Sequence, residues 1–184
     1  MSELSELCRI ARAAQARGEP CWLATVMRVR GSAYRHAGAR LLFSSGQTLA
    51  GSISGGCLEA SIVRKGPWLT RERAVCVRYE GGREEDDEDA PRGTGCDGTV
   101  DILLERVNLS AATSPLAFLE NCLKFARRGA LITVFESRTA SVPVGARVAV
   151  DESGLSSSSL ADQAASDALS WAAHSALGET QPKS

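Results

Sequence analysis

The sequence lacks several features that would assign it to common classes of protein. No apolar run approaches the ~20 residues that a membrane-spanning helix needs. Residues 1–20 have an amphipathic pattern without the apolar core of a signal peptide. We therefore expect a cytoplasmic protein with no membrane partner. The formal net charge is -1 and no basic stripe runs along the chain, which argues against nucleic acid as a partner.

The cysteine pattern excludes two further classes. The six cysteines are spread along the chain without a Cys-x-x-Cys pair, so the spacing indicates neither a zinc knuckle nor a disulfide framework. We interpret them as free thiols in a reducing compartment. Of the 184 residues, 43% are hydrophobic, which is typical of a globular protein long enough to bury a core.

A Gly-rich stretch at residues 51–59, GSISGGCLE, is the most informative part of the sequence. It lies between a predicted strand, 47–53, and a helix predicted to begin near Leu58. Its glycines let the backbone turn through positive φ, and the N–H groups at a helix start favour an anion. Cys57 at that position is expected to favour the thiolate. The alternative interpretation is a turn of purely geometric origin with a small buried cysteine.

A second Gly-rich stretch, GTGCDG at residues 93–98, repeats this chemistry. Cys96 stands between glycines as Cys57 does, and a strand with alternating apolar residues follows. We predict that the two stretches lie on one edge of a sheet and line a common pocket. The acidic run at 84–89 is interpreted as a solvated loop, because like charges repel one another and do not pack.

The remaining pattern predicts an α+β fold with a mixed or mainly antiparallel sheet and flanking helices. Helices are expected at 4–16, 58–65, 115–127 and 160–177, with Gly66 and Pro67 ending the second and Gly129 closing the third. Residues 38–54 are predicted to form a hairpin that turns at 44–46. We expect one domain, 1–178, followed by a polar tail, 179–184.

An internal repeat supports this fold class. ALITVFESRTASVPVGARVAV is similar to WLATVMRVRGSAYRHAGARLLF, with a Thr-Val pair and a Gly-Ala-Arg triplet at nearly the same separation. The repeat spans about residues 18–60 and 128–155, and each copy is a strand, an irregular loop and a second strand. The second copy has no Gly-Gly-Cys stretch, so the first is expected to hold the chemistry.

Three motifs in order, ATVMRVRGSAYRHAGARLLF, GSISGGCLEASIV and GTGCDGTVDILLE, resemble the N-terminal domain of the XdhC/CoxI family. These are accessory proteins in the maturation of xanthine dehydrogenases and related molybdenum hydroxylases. The resemblance implies a cytoplasmic chaperone, rather than an enzyme, that binds molybdenum cofactor transiently. The implied partners are a cysteine desulfurase, which adds the terminal sulfido ligand, and the apo molybdenum hydroxylase. A homodimer and an added nucleotide on the cofactor are left open.

The resemblance also implies a set of cofactor-binding residues. In this sequence they are Arg35, Arg40, Ser54, Gly55, Gly56, Cys57, Glu59, Gly95, Cys96 and Gly98. The two arginines and the Gly-Gly backbone are expected to contact phosphate. Cys57 and Cys96 are expected to coordinate molybdenum or to carry a persulfide. For Glu59 two roles are open, complementing the helix dipole or acting as a general base beside Cys57.

Two features depart from the family pattern. Asp97 stands where the family usually has glycine, which adds a carboxylate to the second stretch. The C-terminal Rossmann-type domain of the family is expected to be absent. Two other functions remain open: a sulfurtransferase that carries a persulfide on Cys57, and a docking or dimerisation scaffold that binds no cofactor.

Overall fold

The computed structural model describes residues 2–56, 58–80, 98–154 and 156–179. The chain divides into two compact units, a first unit of Ile10–Val107 and a second unit of Met1–Arg9 with Asn108–Ser184. The helices are α1 Glu3–Ala16, α2 Glu59–Leu69, α3 Pro115–Lys124 and α4 Gln163–Glu179. None of these helices is long and apolar enough to cross a membrane, within the ranges that the structure describes.

The first unit is built on a five-stranded sheet. Its strands are β1 Trp22–Arg30, β2 Arg40–Ser44, β3 Gln47–Gly51, β4 Val75–Glu80 and β5 Thr99–Arg106, in the order β3-β2-β1-β5-β4. All neighbouring strands pair antiparallel. One face of the sheet packs against α2, and their shared core includes Ala24, Val26, Leu41, Phe43, Ile102 and Leu104 from strands and Ile62 and Val63 from α2.

Helix α2 continues past the residues that were predicted to end it. Gly66 and Pro67 lie inside the helix, so the predicted end at residue 65 is wrong. A Cβ on the buried Gly66 would lie 2.7 Å from Cζ of Phe43, so glycine here lets the helix pack directly on the sheet. Pro67 removes one helical hydrogen bond, and burial of the apolar face around Ile62 outweighs that loss.

The second unit contains a smaller sheet of β6 Gly129–Thr133, β7 Arg147–Asp151 and β8 Ser156–Ser158, in the order β6-β7-β8. Val148 and Val150 of β7 pack with Ala173 of α4 in a buried cluster. Helix α3 begins as predicted, with the Ser114 side chain accepting a hydrogen bond from the Ala117 N–H. The prediction that α3 reaches residue 127 and is closed by Gly129 is wrong, because the helix ends at Lys124.

The reason lies at the end of α3. The helix ends at Lys124, and Ala126 rather than a glycine adopts the left-handed conformation, with φ at 50°. Gly129 is instead the first residue of β6, where a Cβ would lie 2.7 Å from Sγ of Cys122. Its small size is therefore required by packing against α3.

The internal repeat has a common hydrogen-bond pattern. In each copy the valine after the paired threonine donates its N–H to an alanine carbonyl at 2.9 Å and accepts a glycine N–H at 2.8 Å. The equivalent residues are Val26, Ala39 and Gly38 in the first copy and Val134, Ala146 and Gly145 in the second. The predicted α+β class with an antiparallel sheet is confirmed, but the two copies form separate sheets instead of one.

Candidate functional site

The corner, which we define as residues 52–58, joins β3 to α2 in the first unit. Ile53 anchors it in the core and is only 2% exposed, and the neighbouring Ser54 is also buried. Gly56 adopts the left-handed conformation with φ at 111°, as expected for this turn, whereas Gly55 has no positive φ. Both glycines are exposed at the surface.

The carboxylate of Glu59, the first residue of α2, holds the corner in place. Its Oε1 accepts the backbone N–H groups of Ile53 and Ser54 at 3.1 and 2.9 Å. Its Oε2 accepts the hydroxyl of Ser54. The Ser52 hydroxyl, in turn, donates to the Ser54 carbonyl at 2.7 Å. One side chain therefore fixes the backbone of the two residues that precede the Gly-Gly pair.

The Ser54 hydroxyl completes this arrangement from the other side. It accepts the N–H groups of Gly56 at 3.1 Å and of Leu58 at 3.2 Å. Leu58, the N-cap residue of α2, offers no capping side chain of its own, so Ser54 satisfies a donor that a helix start otherwise leaves open. We call this set, Ser54 and Glu59 with the N–H groups they accept, the Glu59 clamp.

The Glu59 clamp changes the expected anion site. The N–H groups of Gly56 and Leu58 were assigned to an external anion, but in the structure they donate to Ser54. A carboxylate of the chain itself already occupies the start of α2. The N–H of Gly55 has no acceptor among the residues that the structure describes. Because Gly55 is exposed, we expect an incoming anion to contact this N–H rather than the helix start.

Opposing effects set the protonation of Glu59. Burial raises the pKa of its carboxyl, but hydrogen bonds from the hydroxyl and N–H of Ser54 and from the N–H of Ile53 outweigh burial. The pKa therefore lies below that of an ordinary glutamate. A carboxylate that is already saturated with donors is a weak base. This favours the dipole-complementing role of Glu59 over the role of general base.

The loop 31–39, between β1 and β2, contacts both Gly-rich stretches. The ring of Tyr34 packs over Gly55, where a Cβ would lie 3.7 Å from Cδ2, and the side chain is 69% exposed. At Gly98 a Cβ would lie 2.3 Å from the carbonyl oxygen of Ser32, so only glycine fits. The two stretches therefore contact one loop.

Three predicted site residues lie outside the described residues: Cys57, Gly95 and Cys96. The common pocket for the two thiols thus stays a prediction. Within the ranges that the structure describes, no group of three histidine, cysteine, aspartate or glutamate residues is placed to hold a metal ion.

The two predicted phosphate-binding arginines lie on segments next to the corner. Arg35 follows Tyr34 in the loop 31–39 and is half-buried. Arg40, also half-buried, opens β2 and directly precedes Leu41, which pairs with Gly51. The Arg40 guanidinium donates to the Gly38 carbonyl at 3.0 Å. Both cations are therefore held by the loop that carries Tyr34.

Sequence reasoning missed two residues. Tyr34 was passed over, although an aromatic residue in a polar loop next to Arg35 is a recognisable signal for a binding surface. Asp101 was read only as the polar member of an alternating strand, yet it is 4% exposed and pairs with arginines from both neighbouring strands. Its carboxylate lies 2.6 Å from Nε of Arg28 and 2.7 Å from Nε of Arg78.

The protonation of Asp101 follows from these pairs. The hydrogen bond from Arg78 lowers its pKa most; burial opposes this, and Arg28 lowers the pKa further, so the net direction is below an ordinary aspartate. The three residues lie opposite one another across β1, β5 and β4. They link β5, which begins directly after Gly98, to β4 and to β1, which leads into the loop 31–39.

Comparisons with known proteins agree with the motifs. Residues 14–80 match the XdhC and CoxI family. Over 93 residues the chain is 38% identical to a probable xanthine dehydrogenase subunit from Bacillus subtilis (strain 168), covering 48% of this chain and 27% of that protein. A crystal structure of a xanthine dehydrogenase from Bacillus halodurans superposes with a TM-score of 0.61 at 27% identity, covering 86% of this chain and 45% of that one.

These matches confirm the resemblance that the motifs indicated. The family match includes the loop 31–39, Arg40, the corner and Glu59, whereas Gly98 lies outside it. The chain spans about a quarter of the curated relative and less than half of the solved structure.

Proposed function

Because residues 14–80 match the XdhC and CoxI family, we propose that the chain is an accessory protein in the maturation of a xanthine dehydrogenase type of molybdenum hydroxylase. The similarity to proteins described as xanthine dehydrogenases supports this role. In this proposal the chain binds molybdenum cofactor at the corner, protects it during sulfuration by a cysteine desulfurase, and transfers it to the apo-enzyme.

The observation that carries the proposal is the Glu59 clamp. It fixes a Gly-Gly turn whose residues are exposed, so the main chain can be approached by a ligand without first being ordered. A preorganised site binds without that ordering cost.

The described residues fit two parts of the cofactor. Molybdopterin carries a planar pterin and a phosphate, and its dithiolene holds the molybdenum that the client enzyme uses for catalysis. The exposed ring of Tyr34 offers a flat surface beside Gly55, whose N–H has no acceptor among the described residues. Arg35 and Arg40 supply the guanidinium groups that suit a phosphate. The soft ligands for molybdenum would be Cys57 and Cys96, outside the described residues.

Retention of the cofactor tests this function. Purified protein is mixed with molybdenum cofactor and separated by gel filtration, and the pterin fluorescence that elutes with the protein is measured. The proposal predicts co-elution that falls when Arg35 and Arg40 are both replaced by glutamine. The matched control is Arg138→Gln, an exposed arginine of the second unit. Absence of co-eluting pterin would contradict the proposal.

A second readout separates the alternatives. After incubation with a cysteine desulfurase and cysteine, mass spectrometry detects a persulfide as a gain of one sulfur on Cys57. A persulfide that passes to the cofactor favours the sulfurtransferase. Retention without a persulfide favours the chaperone. If the protein neither retains the cofactor nor carries a persulfide, the docking scaffold is the remaining function.

A further inference from the structure

A surface groove lies in the first unit. It has a volume of about 610 Å³ and runs between the hairpin turn of Ser45 and Gly46 and the outer face of α2. The helix contributes Arg64 and Trp68 to its lining, and Arg71 follows the end of the helix. We call it the Trp68 groove. The lining begins at Ala60, next to Glu59, and reaches Trp68, which lies nine residues beyond Glu59 and about 13 Å along the helix axis. Trp68 itself is therefore apart from the proposed cofactor site.

The groove presents an aromatic residue between two cations. Arg64 and Trp68 are four residues apart on α2 and therefore share one face of the helix, and Arg71, two residues beyond its end, also lines the groove. The Trp68 side chain is 64% exposed, whereas Trp22 in the core of the same unit is 7% exposed. Pro67, half-buried beside Trp68, extends the apolar surface.

Within the described residues, the positive charge of the groove is not neutralised. There the side chains of Arg64 and Arg71 make no hydrogen bond and no ion pair, and both residues are exposed. None of the described lining residues is acidic. The groove therefore combines an apolar anchor with two guanidinium groups available for pairing, on a chain whose net charge is slightly negative.

We propose that the Trp68 groove is a docking site for an acidic segment of a partner protein. A large apolar side chain of that segment contacts Trp68, and its carboxylates pair with Arg64 and Arg71. Tryptophan and arginine are the residue types that most often dominate protein interfaces. Charge complementarity of this kind also speeds association and selects the partner.

Other occupants fit less well. A nucleic acid would require a row of phosphate contacts, and the lining supplies two cations. A second copy of this chain is the main competitor, because each chain carries the acidic run at residues 84–89. Sedimentation velocity over a range of concentrations decides between them. A dimer that is abolished by Trp68→Ala would assign the groove to a second copy and overturn the proposal.

The test with a partner segment uses a displayed library of random dodecapeptides, selected on the full chain. We expect enrichment of peptides that combine several Asp or Glu residues with one aromatic or large aliphatic residue. An enriched peptide is then synthesised with a fluorescent label, together with a version in which Asn and Gln replace the acids. Binding is measured by fluorescence anisotropy at two salt concentrations.

The proposal predicts that Trp68→Ala weakens binding about tenfold or more. Arg64→Gln combined with Arg71→Gln should weaken it similarly and reduce its salt dependence. The matched controls are Trp171→Ala and Arg138→Gln, exposed residues of the second unit, which should leave binding unchanged. Circular dichroism verifies that each variant is folded.

Any of three results would overturn the proposal. The selected peptides have no acidic consensus, the peptide with Asn and Gln binds as tightly as the acidic peptide, or Trp68→Ala leaves the binding of the acidic peptide unchanged. Pterin retention is measured on the same variants and should be unchanged by Trp68→Ala. The docking site and the cofactor site are thereby tested independently.

Discussion

Replacing Glu59 with glutamine tests whether one carboxylate holds the corner together. The substitution keeps the size of the side chain and the oxygen that accepts the N–H groups of Ile53 and Ser54. It replaces Oε2, which accepts the Ser54 hydroxyl, with a donating NH2 group. Because that hydroxyl already accepts two backbone N–H groups, its proton is left without an acceptor.

The size of the effect follows from these contacts. A hydrogen bond to a charged group contributes about 1.5–3 kcal/mol, and a negative charge at a helix start adds about 0.3–1 kcal/mol. Glu59 is only half-buried, so solvent screens part of its charge. We therefore expect Glu59→Gln to lower the free energy of unfolding by about 2 kcal/mol.

Urea denaturation followed by tryptophan fluorescence measures this difference. The background carries Trp171→Phe, because Trp22 and Trp68 then report on the first unit alone. Glu72→Gln is the matched control, since Glu72 is exposed and has no hydrogen bond in the described part of the chain. It should stay within about 0.5 kcal/mol of the parent. A loss at Glu59→Gln no larger than that of the control would refute the reasoning.

The stabilisation by Glu59 should depend on pH in a defined direction. Burial raises the pKa of Glu59, but hydrogen bonds from Ser54 and Ile53 lower it by a larger amount, so the pKa in the folded state lies below that in the unfolded state. The stabilisation is therefore present above the unfolded pKa of about 4.3 and is lost as the pH falls through the folded pKa. The difference between parent and Glu59→Gln should shrink on acidification, and a constant difference would contradict the assignment.

Three other substitutions test the first unit by urea denaturation. Asp101→Asn should lower the free energy of unfolding by about 2–3 kcal/mol, which is less than the loss of a fully buried ion pair because its arginines are partly exposed. The stabilisation by the Asp101 carboxylate should also disappear as the pH falls through the lowered pKa of Asp101. Gly66→Ala should cost about 1–3 kcal/mol, and Phe43→Leu should reduce that cost, since the new Cβ meets the Phe43 ring. Cys21→Ser places a hydroxyl at a site 4% exposed and should cost about 1–3 kcal/mol without changing pterin retention. Losses below about 0.5 kcal/mol, the usual range of surface substitutions, would contradict each of these expectations.

Local signals in the sequence were enough to predict most elements. The hairpin turn at Ser45 and Gly46 has a short Gly-containing loop between apolar runs, and Ser114-Pro115 marks a helix start by side-chain chemistry alone. The Thr-Val and Gly-Ala-Arg repeat indicated a common strand-loop-strand unit, and both copies make the same backbone hydrogen bonds. In these cases the residues that determine the structure are close together in the sequence.

The failures involve contacts between residues distant in the sequence. Gly66 reads as a helix breaker, but its role is decided by Phe43 of β2, across the helix–sheet interface. Asp101 reads as the polar half of an alternating strand until the register places Arg28 and Arg78 on either side of it. The Glu59 clamp was missed for another reason: Ser54 and Glu59 are close in sequence, but only the fold of the turn shows that they accept the donors expected to bind an anion.

We propose that the corner binds molybdenum cofactor with the Cys57 thiolate as one of the ligands, and pterin retention by Cys57→Ser tests this claim most directly. Serine has nearly the same size and is well tolerated near a helix start, so the thermal midpoint should barely change. A hydroxyl stays protonated at neutral pH and is a poor ligand for molybdenum. The bound pterin per chain, measured by fluorescence after equilibrium dialysis, should therefore fall clearly below that of the parent protein. Retention equal to that of the parent would contradict the claim.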